Sequence, residues 1–286
     1  MDGIINVYKE EGFTSHDVVA KLRGILHQKK IGHTGTLDPD AEGVLPVCIG
    51  RATKVCDILT DKDKVYEAVM LLGVETDTQD TSGKILKELQ ITVSEETVKE
   101  AILSFVGPYE QIPPMYSALK VNGKKLYELA REGIEIEREA RPVCFHAIEI
   151  LECNLPFIRF SVTCSKGTYI RTLCHDIGEK LGCGGCMAQL RRVTAGEYTE
   201  AESVPLQTLL ETEDPEQYLR PVDSMFRNYP AVTLTEKQEL RCRNGNSFSI
   251  QLEDGTYRAY GKDGEFLMLA KVDGGVMSTI KSFWEV

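Results

Sequence analysis

The stretch Lys64–Leu72, with the sequence KVYEAVMLL, has the alternation expected of a β-strand. Successive side chains of a strand point to opposite faces, so the residues divide into two sets. One face carries Tyr66, Ala68, Met70 and Leu72, and the other carries Val65, Val69 and Leu71. Because both faces are largely apolar, the sequence predicts a strand in the interior of a sheet.

Helices are predicted on either side of this strand. One begins at Ser15, a favoured N-cap residue, and a second begins after Ser94. A third helix follows the alternating strand Phe157–Cys164, and its apolar face carries Ile170, Leu173, Cys174, Ile177 and Leu181. Strands and helices are interspersed without a regular βαβ repeat, which predicts an α+β fold instead of a doubly wound one.

A domain boundary is predicted near residues 220–230, after the acidic stretch Glu211–Glu216. Beyond it, short β-like segments are separated by turn sequences, which predicts a small β-rich module built on hairpins. The turn sequences are Asn244-Gly245, Asp254-Gly255, Asp263-Gly264 and Asp273-Gly274-Gly275.

Composition predicts a soluble, cytoplasmic protein. Apolar residues make up 42% of the 286, enough for a globular core. The first 17 residues lack the pattern of a signal peptide, and no apolar run approaches the ~18 residues of a membrane span. The cysteines number nine, an odd count, and are interpreted as reduced, mostly buried thiols.

The net charge of −11 argues against non-specific nucleic-acid binding over the whole surface. The charge is uneven, however. Residues 155–195 contain six basic and two acidic side chains, whereas residues 196–240 contain ten acidic and three basic ones. An anionic partner could bind the first region and be repelled by the second, although charge alone favours ordinary solvated faces.

The segment Lys30–Val47 (KIGHTGTLDPDAEGVLPV) carries the strongest chemical signal. Its glycines suit a backbone that approaches another group closely, and loops held by a scaffold often carry function. Asp38 precedes Pro39, which favours an extended conformation and would place the carboxylate on a loop. Taken alone, Asp38 is more typical of a turn-forming residue than of a catalytic group, and His33 is more typical of a hydrogen-bonded loop histidine than of a functional one.

The run Gly32–Pro46 closely resembles the catalytic motif of the TruB family of pseudouridine synthases, G-H-x-G-x-L-D-P-x-A-x-G-x-L. Further blocks similar to that family follow the same order over nearly the first 200 residues. They are Val7–Ser15, Ala52–Lys54, Lys64–Tyr66, Gly73–Asp80, Gln111–Gly123, Tyr127–Arg131, Cys164–Arg171 and Leu190–Arg192. The chain departs from the family pattern at Cys186 and Val193, which leaves the local packing open.

The resemblance implies a role for each matching residue. Asp38 corresponds to the essential aspartate, Arg171 to the arginine that pairs with it, and Tyr66 to the tyrosine that stacks on the target base. The other implied site residues are His33, which would enter the T loop where the base is flipped out, Tyr169 and Leu190, which would line the pocket, and Lys9, which would lie near the site.

The resemblance also implies a substrate and an architecture. The family isomerises uridine 55 in the T loop of tRNA without cofactor or metal. Its fold is a mixed, mainly antiparallel sheet flanked by helices, here expected over residues 1–225, with an RNA-binding insertion at about 110–140. A PUA-like C-terminal domain, 226–286, would hold the acceptor stem, and the protein is expected to be a monomer. The basic residues of the insertion are Lys120, Lys124, Lys125 and Arg131.

Three alternatives remain open at this stage. Cys174-His175 with Cys183 and Cys186 could bind zinc, although recognised structural sites offer two ligand pairs at defined spacing. The Cys183–Cys186 motif could be redox-active, although the expected βαβ context is missing. A protein with this resemblance could also fold tRNA without catalysing a reaction.

Overall fold

The computed structural model describes residues 1–284. Its seven α-helices are α1 (Ser15–Ile25), α2 (Cys56–Thr60), α3 (Glu95–Leu103), α4 (Leu126–Arg131), α5 (Ile170–Leu181), α6 (Leu206–Glu211) and α7 (Glu236–Arg243). Shorter 3-10 helices span Gly50–Val55, Glu200–Glu202, Pro215–Tyr218 and Val222–Phe226. In this part of the chain, no helix is both long and apolar enough to cross a membrane.

The strands of the first 205 residues are β1 (Gly3–Lys9), β2 (Ile31–His33), β3 (Glu42–Ile49), β4 (Lys64–Leu72), β5 (Val74–Thr76), β6 (Ile85–Glu88), β7 (Gly107–Gln111), β8 (Lys120–Val121), β9 (Lys124–Lys125), β10 (Arg141–Asn154), β11 (Phe157–Cys164), β12 (Gly185–Ala195), β13 (Tyr198–Thr199) and β14 (Val204–Pro205). The C-terminal strands are β15 (Ala231–Thr233), β16 (Phe248–Ser249), β17 (Gly255–Tyr260), β18 (Phe266–Asp273) and β19 (Val276–Ser282).

Strand β4 lies inside a ten-stranded sheet whose main order is β14-β1-β3-β12-β4-β11-β10-β7. Most neighbours are antiparallel, but β1 pairs with β14 and β12 pairs with β3 in parallel. The even-numbered residues of β4 are buried and the odd-numbered ones partly buried. The predicted interior strand and the predicted α+β fold with a mixed, mainly antiparallel sheet are therefore confirmed.

The prediction that Ser15 caps α1 was wrong by one residue. Thr14 is the N-cap, and its side chain accepts a hydrogen bond from the Asp17 N–H while the Asp17 carboxylate accepts one from the Thr14 N–H. This reciprocal arrangement satisfies two backbone donors at once, so Thr14 is the better cap. The Ser15 hydroxyl is buried and contacts Leu37 of the loop between β2 and β3.

The C-terminal strands form a separate five-stranded sheet in the order β15-β17-β18-β19-β16. Asn244-Gly245 does not connect two strands as expected; Asn244 ends helix α7, and Gly245 has a φ of +73°. The sequence signal for that helix is Thr235 with Gln238, which form a capping box. The boundary at 225/226 and the PUA-like assignment stay predictions.

Candidate functional site

Asp38 and Arg171 meet although 133 residues separate them in the sequence. Asp38 lies in the loop from β2 to β3, and Arg171 is in the first turn of α5. The Arg171 Nε lies 2.9 Å from Asp38 Oδ2, and its Nη2 donates to Oδ1 at 3.3 Å. The guanidinium therefore contacts both carboxylate oxygens, a geometry that fixes direction as well as charge.

Two backbone carbonyls hold the other edges of the Arg171 guanidinium. Nη1 donates to the Thr78 oxygen at 3.2 Å, and Nη2 donates to the Tyr116 oxygen at 2.9 Å. The side chain is only 6% exposed, so its position is determined by protein groups and not by solvent. Arg171 thus joins the loop that carries Asp38, the turn after β5 and the segment 110–140.

A second acid, Asp80, lies beside this pair, and the sequence analysis gave it no role. Its Oδ2 is 3.8 Å from the Arg171 Nε. Its Oδ1 accepts hydrogen bonds from the Thr78 hydroxyl and from the Ser82 N–H and hydroxyl. The sequence feature that could have identified Asp80 as a site residue is its position at the end of the family-like block Gly73–Asp80. Arg171 consequently lies between two carboxylates.

The environment raises the pKa of Asp38 above its ordinary value. The largest cause is loss of water around the carboxylate, although 37% of the side chain remains exposed. Arg171 opposes this effect, while the negative charge of Asp80 adds to it. The site therefore contains a carboxylate that is harder to ionise than usual, and the charges of Arg171 and, more weakly, Lys9 oppose this rise in its pKa.

Lys9 lies under the catalytic loop without touching the Asp38 carboxylate. It is completely buried, and its ammonium donates to the carbonyls of Glu10, Phe13 and Pro39 at 3.1, 2.6 and 3.2 Å. Burial lowers the pKa of Lys9 to about 8. Its bond to Pro39 places it next to Asp38 in the chain, so its position supports the loop.

Tyr66 and Leu190 lie on the adjacent strands β4 and β12. Tyr66 is directly opposite Arg192, and Leu190 is directly opposite Ala68. Tyr66 is 8% and Leu190 9% exposed, and both belong to one apolar cluster with Leu37, which precedes Asp38. Burial raises the pKa of the Tyr66 hydroxyl, and the charge of Arg192 opposes that rise. The structure thus brings both residues to the loop that carries Asp38.

Arg192 is a further residue to which the sequence analysis gave no role. It is 1% exposed, its Nε donates to the Val44 carbonyl at 2.6 Å, and its Nη2 donates to the Gly35 carbonyl at 3.3 Å. It therefore ties the catalytic loop to the central sheet. Gly43, the second residue of β3, has a φ of +108°, and a Cβ there would clash with the Arg192 backbone carbonyl. The sequence contained Arg192 in the Leu190-Arg-Arg block, but it did not indicate that the side chain is buried.

His33 lies on the strand that leads into the Asp38 loop, and Tyr169 immediately precedes α5, which carries Arg171. His33 ends β2, is partly buried and packs edge-to-face on His16 with ring centroids 5.5 Å apart. Burial lowers the pKa of His33, which favours the neutral imidazole. The backbone of Tyr169 is held by Gln111, whose amide accepts from its N–H at 2.8 Å and donates to its carbonyl at 3.0 Å. The backbone of His33 is therefore fixed by strand β2, and the backbone of Tyr169 is fixed by the Gln111 side chain.

An open cavity of about 610 Å³ borders the site at Leu190. Asp38 is not on its wall, and the cavity lies on the side of the loop that Asp40 occupies. Its charged lining consists of Glu11, Asp40, Glu42, Glu67, Arg159 and Arg191. The volume is typical of a ligand site, and the mixed charge shows that it is not a simple phosphate cradle.

Cys174, Cys183 and Cys186 are buried, and all nine cysteines are free. Among residues 1–284, no cluster of three or more His, Cys, Asp or Glu side chains has the arrangement of a metal site. Burial raises the pKa of the Cys183 and Cys186 thiols, the opposite of what a reactive thiolate requires. The geometry therefore gives no support to the redox alternative.

Two family models match the chain. Residues 23–170 match the TruB family pseudouridylate synthase N-terminal domain, and residues 171–227 match the tRNA pseudouridylate synthase B C-terminal domain. The chain is 49% identical to tRNA pseudouridine synthase B of Clostridium acetobutylicum, over 98% of this chain and 99% of that protein. It is 55% identical to the protein of that name in Lachnoclostridium phytofermentans, over 86% and 84%.

Two solved structures contain chains that superpose on nearly the whole of this chain. A Cbf5-Nop10-Gar1 complex contains a chain that superposes with a TM-score of 0.73 and 27% identity, covering 99% of this chain and 85% of that one. A chain of an H/ACA RNP bound to a substrate RNA that contains 2′-deoxyuridine superposes with a TM-score of 0.71 and 25% identity. It covers 99% of this chain and 85% of that one.

Proposed function

Since the chain belongs to the TruB family of pseudouridylate synthases, we propose that it converts uridine 55 in the T loop of tRNA into pseudouridine, with Asp38 as the essential carboxylate. The observation that carries this proposal is the two-point contact between the buried Arg171 guanidinium and the partly exposed Asp38 carboxylate. Relatives that cover nearly the whole chain bear the name tRNA pseudouridine synthase B, which supports tRNA as the substrate.

The reaction breaks the bond between N1 of uracil and C1′ of the ribose, turns the base, and forms a bond from C5 to C1′. The proton leaves C5 and N1 gains one, so the product is an isomer of the substrate. No oxidation state changes overall, and the reaction therefore requires no redox cofactor. A carboxylate can act as a nucleophile or as the base that removes a sugar proton, and either role needs Asp38 ionised.

Arg171 is the main group that favours the ionised form of Asp38, and Lys9 adds a smaller effect. Loss of water raises the carboxyl pKa, and the guanidinium at 2.9 Å favours the charged form. The contact also aims the carboxylate, because both oxygens are held. A lysine would supply the charge but not the fork of donors.

The target base must leave its stack before it reaches Asp38, which costs a few kcal/mol. We assign Tyr66 to stacking on the flipped base and His33 to the space that the base leaves in the T loop. Leu190 and Tyr169 form walls of the pocket. Lys9 supports the loop from below, as its bond to the Pro39 carbonyl suggests.

RNA outside the T loop is assigned to two regions. The insertion at about 110–140 presents Lys120, Lys124, Lys125 and Arg131 to the T arm, and the C-terminal sheet contacts the acceptor stem. Single-stranded loops are the usual targets of sequence-specific RNA recognition, and the flanking stems provide the phosphate contacts. We expect the protein to act as a cytoplasmic monomer.

The test is pseudouridine mapping on an unmodified tRNA transcript incubated with purified protein and no additives. The proposal expects one new pseudouridine at position 55, and expects that Asp38→Asn abolishes it while tRNA binding persists. A protein that only folds tRNA would bind tightly, leave uridine 55 unchanged and be indifferent to Asp38→Asn. That result would replace the enzymatic proposal with the folding one.

A further inference from the structure

The first turn of α5, which carries Arg171, is held in place by contacts from outside the helix. We propose that the hydrogen bond between Thr172 and Gln79 directs Arg171 at Asp38, so that both are positioning residues for pseudouridine formation. This inference rests on the proposed function, because it concerns the rate of the step that Asp38 carries out.

Helix α5 begins without a side-chain cap. Its N-cap residue is Tyr169, whose side chain makes no capping hydrogen bond. The first four N–H groups of a helix have no partner within it. Contacts from other segments must therefore fix the direction of this turn. One of them is the Gln111 amide, which bonds to the N–H and the carbonyl of Tyr169 at 2.8 and 3.0 Å.

Gln79 supplies a second contact, on the other side of Arg171 in the sequence. The Thr172 hydroxyl donates to the side-chain oxygen of Gln79 at 2.9 Å. Thr172 is only 2% exposed, so the bond lies where water competes poorly for its two partners. The residue that follows Arg171 is thus tied to the turn after β5.

The same turn also contacts the Arg171 guanidinium. The Thr78 carbonyl accepts from Nη1 at 3.2 Å, and Asp80 Oδ2 lies 3.8 Å from Nε. Gln79 lies between these two residues, so one short segment holds both the backbone beside Arg171 and the far end of its side chain. Release of Thr172 from Gln79 would therefore let the guanidinium change its direction relative to Asp38.

The backbone of Gln79 adopts a conformation that its contacts must stabilise. Its φ is +64°, in the left-handed region that is unfavourable for a residue with a Cβ. The Met187 N–H donates to the Gln79 carbonyl, and the Thr81 N–H donates to the Met187 carbonyl, both at 3.0 Å. Strand β12 therefore holds the turn in the conformation that presents the Gln79 side chain to α5.

The experiment measures the single-turnover rate of pseudouridine formation and the dissociation constant for tRNA separately. Thr172→Val keeps the shape of the side chain but leaves the Gln79 oxygen without its donor. The rate should fall about tenfold, while tRNA affinity stays within about twofold of wild type. Thr172→Ser keeps the hydroxyl and should retain the wild-type rate. Thr60→Val is the matched control and should also retain it, because the Thr60 hydroxyl donates to the Cys56 carbonyl within helix α2.

Gln79→Gly removes the same bond from the other side. This variant should fold, because glycine adopts a φ of +64° without strain. Its rate should also fall about tenfold, and the double variant Gln79→Gly/Thr172→Val should lose no more than either single variant, since each change removes the same bond.

The inference fails if Thr172→Val lowers the rate less than about threefold, or if Thr172→Ser loses as much as Thr172→Val. It also fails if the losses of Gln79→Gly and Thr172→Val multiply to about a hundredfold in the double variant, because the two residues would then act independently. A loss of tRNA affinity at an unchanged rate would assign Thr172 to binding and overturn the inference as well. Wild-type protein that forms no pseudouridine would instead refute the proposed function.

Discussion

Replacing Arg171 by lysine tests the chemistry of the site most directly. Lysine keeps the positive charge but carries all its donors on one atom, so it cannot contact both Asp38 oxygens and the carbonyls of Thr78 and Tyr116. At least two hydrogen bonds to charged groups are lost, each worth about 1.5–3 kcal/mol. A total of about 3–6 kcal/mol corresponds to a fall of roughly 10²–10⁴ in the rate of the chemical step.

The assay is single-turnover pseudouridine formation with enzyme in excess over tRNA, which isolates chemistry from product release. Binding to tRNA should stay within about twofold of wild type, because Arg171 is 6% exposed and directed at Asp38. Arg159→Lys is the control, since Arg159 pairs with Glu67 and is 46% exposed. A rate for Arg171→Lys within tenfold of wild type would refute the view that the two-point contact controls Asp38.

Two further predictions concern charge around the loop. Because the pKa of Asp38 is raised and Asp80 contributes to the rise, the single-turnover rate should fall with decreasing pH at a higher pH than for an ordinary carboxyl group. Asp80→Asn should shift that acid limb to lower pH; an unchanged or opposite shift would contradict the charge argument. Arg192→Met should lower the free energy of unfolding in urea by about 2–4 kcal/mol, because a buried carbonyl and a partly buried one lose this donor. Arg191→Met, at a neighbouring position that is 34% exposed, should cost less than ~1 kcal/mol, and equal losses in the two variants would contradict the proposed role of Arg192 in joining the loop to the sheet.

Local pattern predicted the framework of the fold well. The alternation in Lys64–Leu72 indicated an interior strand, and the apolar stripe from Ile170 to Leu181 indicated a helix, as the structure shows. Both signals come from neighbouring residues and need no knowledge of distant contacts. The cap at Thr14 and the helix Glu236–Arg243 were missed because several residues near each end could satisfy the same backbone groups.

The site was predictable only where a motif marked it. Asp38 and Arg171 came from the family resemblance, and the structure brings them together. Asp80 and Arg192 were not recognised, because their importance depends on which backbone the folded chain brings beside them. Arg192 in particular has the sequence context of an exposed basic residue, and its burial follows from the pairing of β12 with β3 and β4.

Lys9 and Arg192, two buried cations beneath the Asp38 loop, produce an electrostatic field that does not depend on the salt concentration. Lys9 and Arg192 are surrounded by carbonyl dipoles at 0% and 1% exposure. Dissolved salt screens exposed charges over roughly 8–10 Å near physiological ionic strength, but mobile ions cannot enter the space around these two groups. Raising the salt concentration should therefore weaken RNA capture by an acidic protein while leaving the field at the reacting atoms nearly constant. Ionic strength would therefore control the rate of RNA binding, and the buried charges would control the rate of the chemical step.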